Sequence, residues 1–376
     1  MRASDPAVLS RCLEILAEAG VENDTQLAAE LMQTVVRLAA DNPGRAEMKL
    51  MLRSFKELRH GFKAFKPYRS RRKISMFGSA RTAPGDPDYA IAEQFARLAA
   101  GAGFMVITGA GGGIMQAGNE GAGLAQSFGV AIKLPFEQQT NQVIAGDQKL
   151  IHFRYFFSRK LVFVKETHAV ALFPGGFGTH DEGFEVLTLV QTGRCDPMPI
   201  VMVEHPGGSY WHAWDEFVRT ELLGNGLISP DDTALYYITT DPAAAVRHVE
   251  RFYRNYHSLR YIDDDLVLRI KSAPTPHELV AIAAEFADIL SEGTIALRTA
   301  AEVEPDGPLP GMARLVFRFN RRSLARLRMM IDRLNSLESL AAAQPADAAE
   351  VGADISDRGV ATIAEEESIK LAGPGT

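Results

Sequence analysis

"FMVITGAGGGIMQAGNEGAGLAQ", residues 104–126, sets an unbroken apolar run against a glycine cluster and then a stretch with helical periodicity. It reads as strand, tight turn and helix. The same unit recurs on either side: "KISMFG" precedes "PDYAIAEQFARLAAGAG", "GVAIKL" follows, and "AVALFPG" leads through "DEGFEVLTLVQTG" to "MPIVMVE". Strands that are apolar throughout, separated by amphipathic helices, indicate a parallel sheet covered on both faces. Residues 73–250 are therefore expected to form a doubly wound α/β domain whose ligand binds beyond the carboxyl ends of the strands.

The flanks read differently. Residues 1–72 are a helical extension: "VLSRCLEILAEAG" puts Leu9, Cys12, Leu13 and Leu16 on one face before Gly20, and two further helical stretches follow. Residues 260–338 run "DLVLRI", "TPHELVAIAAEFADIL", "TIALRTAAEV", "MARLVFRFN" and a last helix, with "EPDGPLPG" joining the two later strands. That βαββα order predicts a small α+β domain. Residues 339–376, rich in Ala, Asp and Glu without an aromatic residue, are expected to be disordered.

A net charge of −7 argues against a general nucleic-acid or membrane binder. The basic run "KAFKPYRSRRK", residues 63–73, is expected to be a solvated linker. Cys12 and Cys195 suggest no disulfide framework, and neither a signal peptide nor a run of about 18 apolar residues is seen, so a cytoplasmic protein is expected. The nine histidines show no HxxxH spacing and the two cysteines no CxxC, so no metal site is signalled.

Three loops at strand ends could carry chemistry. "FGSARTAPGDPDY" offers Gly78, Ser79, Arg81 and Thr82, which could hold an anion or form an ordinary βα turn. "TGAGGGIM" offers Gly111, Gly112 and Gly113, either for a phosphate at a helix N-terminus or for close helix–strand packing. A G-x-G-x-x-G reading from Gly109 meets Ile114 where a third glycine is needed, and "GVAIKL" ends near Lys133 without a ribose-binding acid. NAD binding is thus disfavoured, and no GK[ST] follows to make a P-loop. In "ALFPGGFGTHDE", residues 171–182, the N–H groups of Gly176, Phe177, Gly178 and Thr179 would form a phosphate cradle. Glu182 would lie in the first helical turn, where the dipole favours its ionised form, or would merely cap the helix with Asp181. Upstream, Arg159 and Lys160 lie on a helix that could flank the same crevice.

"PGGFGTHDE", Pro174–Glu182, resembles the PGGxGTxxE signature of the LOG family of phosphoribohydrolases, often mislabelled lysine decarboxylases. Arg159-Lys160 stands where that family has an Arg-Lys pair, and "GSAR" and "GAGGGIM" are similar to its earlier nucleotide-contacting loops. The resemblance spans about 73–250 and implies a Rossmann-like homodimer or higher homo-oligomer that cleaves a nucleoside 5′-monophosphate into free base and ribose 5-phosphate without a cofactor. It implies Glu182 and Arg159 as catalytic residues, and Gly175, Gly176, Gly178 and Thr179 around the phosphate. Gly111, Gly112, Gly113, Ser79, Arg81 and Lys160 complete the expected contacts to phosphate and ribose. Phe156, Phe157, Ser158, His180 and Asp181 depart from the short members, so base specificity does not transfer. A nucleotide or cofactor carrier that uses the same cradle without turnover is the alternative. A decarboxylase would need a lysine site for PLP, and no feature singles one out.

Overall fold

The computed structural model describes residues 5–133, 140–305 and 307–342. The chain divides into two compact units, Met1–Arg59 and His60–Thr376. The first contains helices α1 (Asp5–Glu18) and α2 (Thr25–Ala40) and most of α3 (Arg45–Phe65). Cys12 and Ala29 are buried between α1 and α2, as the periodicity requires.

The second unit opens with β1 (Lys73–Phe77), α4 (Pro87–Gly101), β2 (Met105–Thr108), α5 (Ile114–Ala122), β3 (Ser127–Ile132) and β4 (Leu150–Phe153). It continues with α6 (Phe156–Glu166), β5 (Ala169–Leu172), α7 (Phe177–Gln191), β6 (Ile200–Val203), α8 (Tyr210–Phe217), β7 (Tyr236–Thr239) and α9 (Pro242–Phe252). All seven strands are parallel, in the order β4-β3-β2-β1-β5-β6-β7. The fold is a Rossmann-like α/β sheet. Its strand order reverses between β1 and β5, and at such a point the loops leaving the two strands part to open a crevice. β1, β2, β5 and β6 are buried along their whole length, which is why their sequences are apolar without alternation.

A second, antiparallel sheet follows, from β8 (Tyr256–Ile262), β9 (Asp265–Ile270), α10 (Pro276–Glu285), β10 (Leu290–Arg298), α11 (Ala300–Val303), β11 (Ala313–Phe319) and α12 (Leu324–Leu334). Its order is β10-β11-β9-β8, and Leu268, Leu315, Phe317, Leu327 and Ile331 share one core. The expected βαββα run lacks β8, which pairs with β9 across a tight turn where Asp263 takes φ 52°. The expected strand "TIALRTAAEV" ends at Arg298 and turns helical, because Thr299 and Glu302 form a capping box. Beyond α11, Glu304 is buried and ion-paired with Arg269 and with Arg314, at 2.7 Å from the Nε of Arg314.

The basic run at 63–73 is not a solvated linker throughout. Lys73 is fully buried, with its ammonium bonded to the carbonyls of Tyr68 (2.9 Å) and Arg71 (3.0 Å) and 3.9 Å from Glu166. The guanidinium of Arg72 lies 4.0 Å from the centre of the Tyr253 ring. Of the tail expected to be disordered, Ser339–Ala342 is a helical turn, α13, whose Ser339 N–H bonds Glu278; residues 343–376 lie outside the described residues. Among the described residues no helix is long and apolar enough to cross a membrane.

Candidate functional site

The crevice between β1 and β5 holds a cavity of about 810 Å³. Its walls are the loops after β1, β2 and β5 and the first turns of α6 and α7, so the three glycine-containing loops picked from the sequence meet there. The first is stitched to the other two by backbone: the Ser79 N–H donates to the Pro174 carbonyl of the loop after β5 (3.1 Å), and the Ile114 N–H at the end of the loop after β2 donates to the Ser79 carbonyl (3.0 Å). Ser79 and the exposed Arg81 both line the cavity.

The loop after β2 is held by a buried polar cluster that no motif in the sequence announces. The Asn141 side chain donates to the Gly111 carbonyl (3.0 Å) and to Asn119 Oδ1 (2.9 Å), which also accepts from Thr108 Oγ1 (2.8 Å). Ala110 stands in the left-handed region at φ 63°, with its N–H on Thr108 Oγ1 and its carbonyl accepting from the Asn141 N–H. A side chain on Gly109 would come within 2.8 Å of the Arg159 guanidinium, so this glycine clears space for the arginine. Gly111 lines the cavity, whereas Gly112 and Gly113 do not: Gly113, at φ 64°, backs onto Ser79 and Ala80.

The turn after β5 is built otherwise. Gly175 packs against Thr179 and the Ser79 N–H. Gly176 is the N-cap of α7 at φ −88°, a value open to any residue, and beyond the adjoining residues and the helix's own backbone no described atom lies within 4 Å of where its Cβ or that of Gly178 would stand. Neither a left-handed conformation nor internal packing accounts for these two glycines, and both line the cavity. Thr179 and His180 donate their N–H groups to the Gly176 carbonyl, so the Thr179 N–H expected in the cradle is used inside the turn. Phe177 and Gly178 open the helix, where N–H groups have no partner four residues back.

Arg159 and Glu182 face each other at the base of this turn, 3.9 Å apart. The Arg159 Nε–H donates to the Val130 carbonyl at 2.9 Å, and its guanidinium lies 5.0 Å from the Phe163 ring centre. Burial pulls the Arg159 pKa down while Glu182 counters it. Glu182 corrects the expectation of an ionised first-turn carboxylate. It is the sixth residue of α7 and only 5% exposed, and burial pushes its carboxyl up to about 7 against the pull of Arg159 and Lys160.

Lys160 is also not where the sequence reading put it. Its ammonium sits between Asp181 and Glu185, 2.8 Å from each, and lines a shallow surface groove with Phe184 and Leu189 instead of the cavity. Partial burial lowers its pKa, but those two carboxylates more than offset this and hold it above the usual value. Met115 and Thr140 line the cavity without having been singled out from the sequence, and Phe156 and Phe177, named there, line it as well. Among the described residues no group of His, Cys, Asp and Glu could hold a metal ion.

Residues 111–249 match the family model described as "Possible lysine decarboxylase". A search of curated proteins finds no match. Among solved structures, the chain is similar to the molybdenum cofactor binding protein from the phototrophic bacterium Rippkaea orientalis, at 17% identity over 48% of this chain and 96% of that one, with a TM-score of 0.34. It is also similar to the Moco carrier protein from Chlamydomonas reinhardtii, at 19% identity over 48% and 96% of the two chains and a TM-score of 0.33. DNA processing protein A from Helicobacter pylori matches at 15% identity over 48% and 80%, with a TM-score of 0.33.

Proposed function

Since residues 111–249 match the family model described as possible lysine decarboxylase, consistent with the LOG-family resemblance of the sequence, we propose that this protein hydrolyses the N-glycosidic bond of a nucleoside 5′-monophosphate. The observation that carries the reading is the pairing of a buried Glu182, 3.9 Å from Arg159, with a glycine turn whose Gly176 and Gly178 face open cavity. The 5′-phosphate would rest on the Gly176–Gly178 N–H groups and the Thr179 hydroxyl, with Ser79, Arg81 and Gly111 on the opposite wall. C1′ would then lie beside Glu182. As the bond from C1′ to the base nitrogen breaks, positive charge develops on the sugar, and an ionised Glu182 stabilises it and takes a proton from the attacking water. The base leaves with the bonding electron pair and gains a proton at nitrogen. Arg159 would orient the ribose or phosphate.

Among the described residues lining the cavity there is no lysine, so the chemistry in the family's description has no Schiff-base residue there. A homodimer belongs to the same proposal: Phe157, Leu161 and Phe184 on α6 and α7 are exposed apolar side chains that a second copy would cover. Chromatography of the full chain incubated with AMP, GMP, CMP and isopentenyladenosine monophosphate, with adenosine beside them, tests the activity. The expected result is free base and ribose 5-phosphate from at least one nucleotide and none from adenosine. No base from any of them contradicts the proposal.

A further inference from the structure

The hydroxyl of Tyr210, the first residue of α8, is hydrogen-bonded to the Gly175 carbonyl and lies 2.7 Å from His180 Nε2. A carbonyl can only accept, so the hydroxyl proton goes to Gly175. The contact with His180 then requires the proton on Nε2, and burial of His180, which lowers its pKa, keeps the ring neutral. The tyrosine is itself fixed. Its backbone N–H donates to the fully buried Glu204 at 2.7 Å, and its ring packs edge-on to Trp211, centres 4.9 Å apart.

The consequence comes from peptide geometry. The Gly175 carbonyl and the Gly176 N–H belong to one planar trans unit and point in opposite directions. Gly176 lines the cavity, and Tyr210 is not among the residues that do. With a glycine on either side, this peptide has little of its own to stop it rotating and turning its carbonyl toward the anion.

We propose that Tyr210, supported by His180, is a positioning residue that locks the Gly175–Gly176 peptide so that the Gly176 N–H points at the substrate phosphate. This rests on the reading of the turn as a phosphate site. Calorimetric titration of the full chain with ribose 5-phosphate and, separately, adenosine tests it. Tyr210→Phe should weaken ribose 5-phosphate about tenfold, the loss of roughly one hydrogen bond, and change adenosine affinity by less than about twofold. His180→Leu should weaken ribose 5-phosphate by about threefold, and His180→Gln, which keeps a donor amide, should restore it. Unchanged ribose 5-phosphate affinity in Tyr210→Phe, or an equal loss for both ligands, overturns the role of the anchor. A wild-type protein that binds adenosine but not ribose 5-phosphate removes the phosphate site, and the anchor with it.

Discussion

The loops after β2 and β5 look alike in sequence, each with glycines between a buried strand and a helix, but they use glycine for different reasons. In the first, a Cβ on Gly109 would strike Met115 and Arg159, and one on Gly113 would lie 2.7 Å from the Ala80 carbonyl carbon. The protein's own packing demands them. In the second, Gly176 and Gly178 have empty space where a side chain would stand. On the proposed function one loop is a joint and the other a receptor, and the distinction rests on what the missing Cβ of Gly113 and of Gly178 would touch.

Gly113→Ala should break the joint. With φ at 64° and backbone in the way, it should cost about 2–4 kcal/mol, read as a lower unfolding midpoint in denaturant. An unchanged midpoint would mean that the first loop is not set by packing.

Glu182 ties the turn after β5 to pH. Its folded pKa, about 7, exceeds its usual 4.5, so the folded protein holds a proton that the unfolded chain has released between those values. Its contribution to stability is whole below pH 4.5 and is lost as the pH rises through 7. Glu182→Gln should therefore gain on the wild type by up to about 3 kcal/mol at pH 8 and lose that advantage in acid, as urea midpoints across pH would record. For the same reason kcat/KM should fall about tenfold per pH unit below the Glu182 pKa, with an inflection distinct from the phosphate ionisation near pH 6.

Gly178→Ala should leave the unfolding midpoint within about 0.5 kcal/mol, since alanine suits a helix, while nucleotide affinity falls about tenfold as the methyl group fills the open space. Equal losses at Gly113 and Gly178 in both measurements would erase the distinction. The smallest effect belongs to Lys160→Ala. Its two ion pairs are partly exposed, so less than about 1 kcal/mol of stability and little affinity should be lost.

Much of this was legible in the chain. β1, β2, β5 and β6 announce themselves because burial on both faces leaves only apolar residues. β4 and β7, the two edges of the sheet, were missed: Leu150–Phe153 alternates and Tyr236–Thr239 is half-buried throughout, so neither reads as a core strand. The pairing of Arg159 with Glu182 followed from ordered motifs. Lys160 did not join it, because adjacent helical residues point about 100° apart and only one can face the cavity. Asn119 and Asn141 lie 22 residues apart and meet only once the sheet has formed. The raised pKa of Glu182 is a tertiary property, since the same residue on an exposed helix would titrate in the ordinary carboxylate range.

The most direct measurement is release of adenine from AMP at pH 8 by the wild-type protein and by Glu182→Gln, with ribose 5-phosphate quantified in the same samples. Where AMP is among the nucleotides the wild type cleaves, the account predicts equimolar adenine and ribose 5-phosphate from it and a rate lower by about 10²-fold or more in the variant, with AMP binding kept; otherwise the same comparison is made with the nucleotide that is cleaved. Adenine release at an undiminished rate in Glu182→Gln would contradict it.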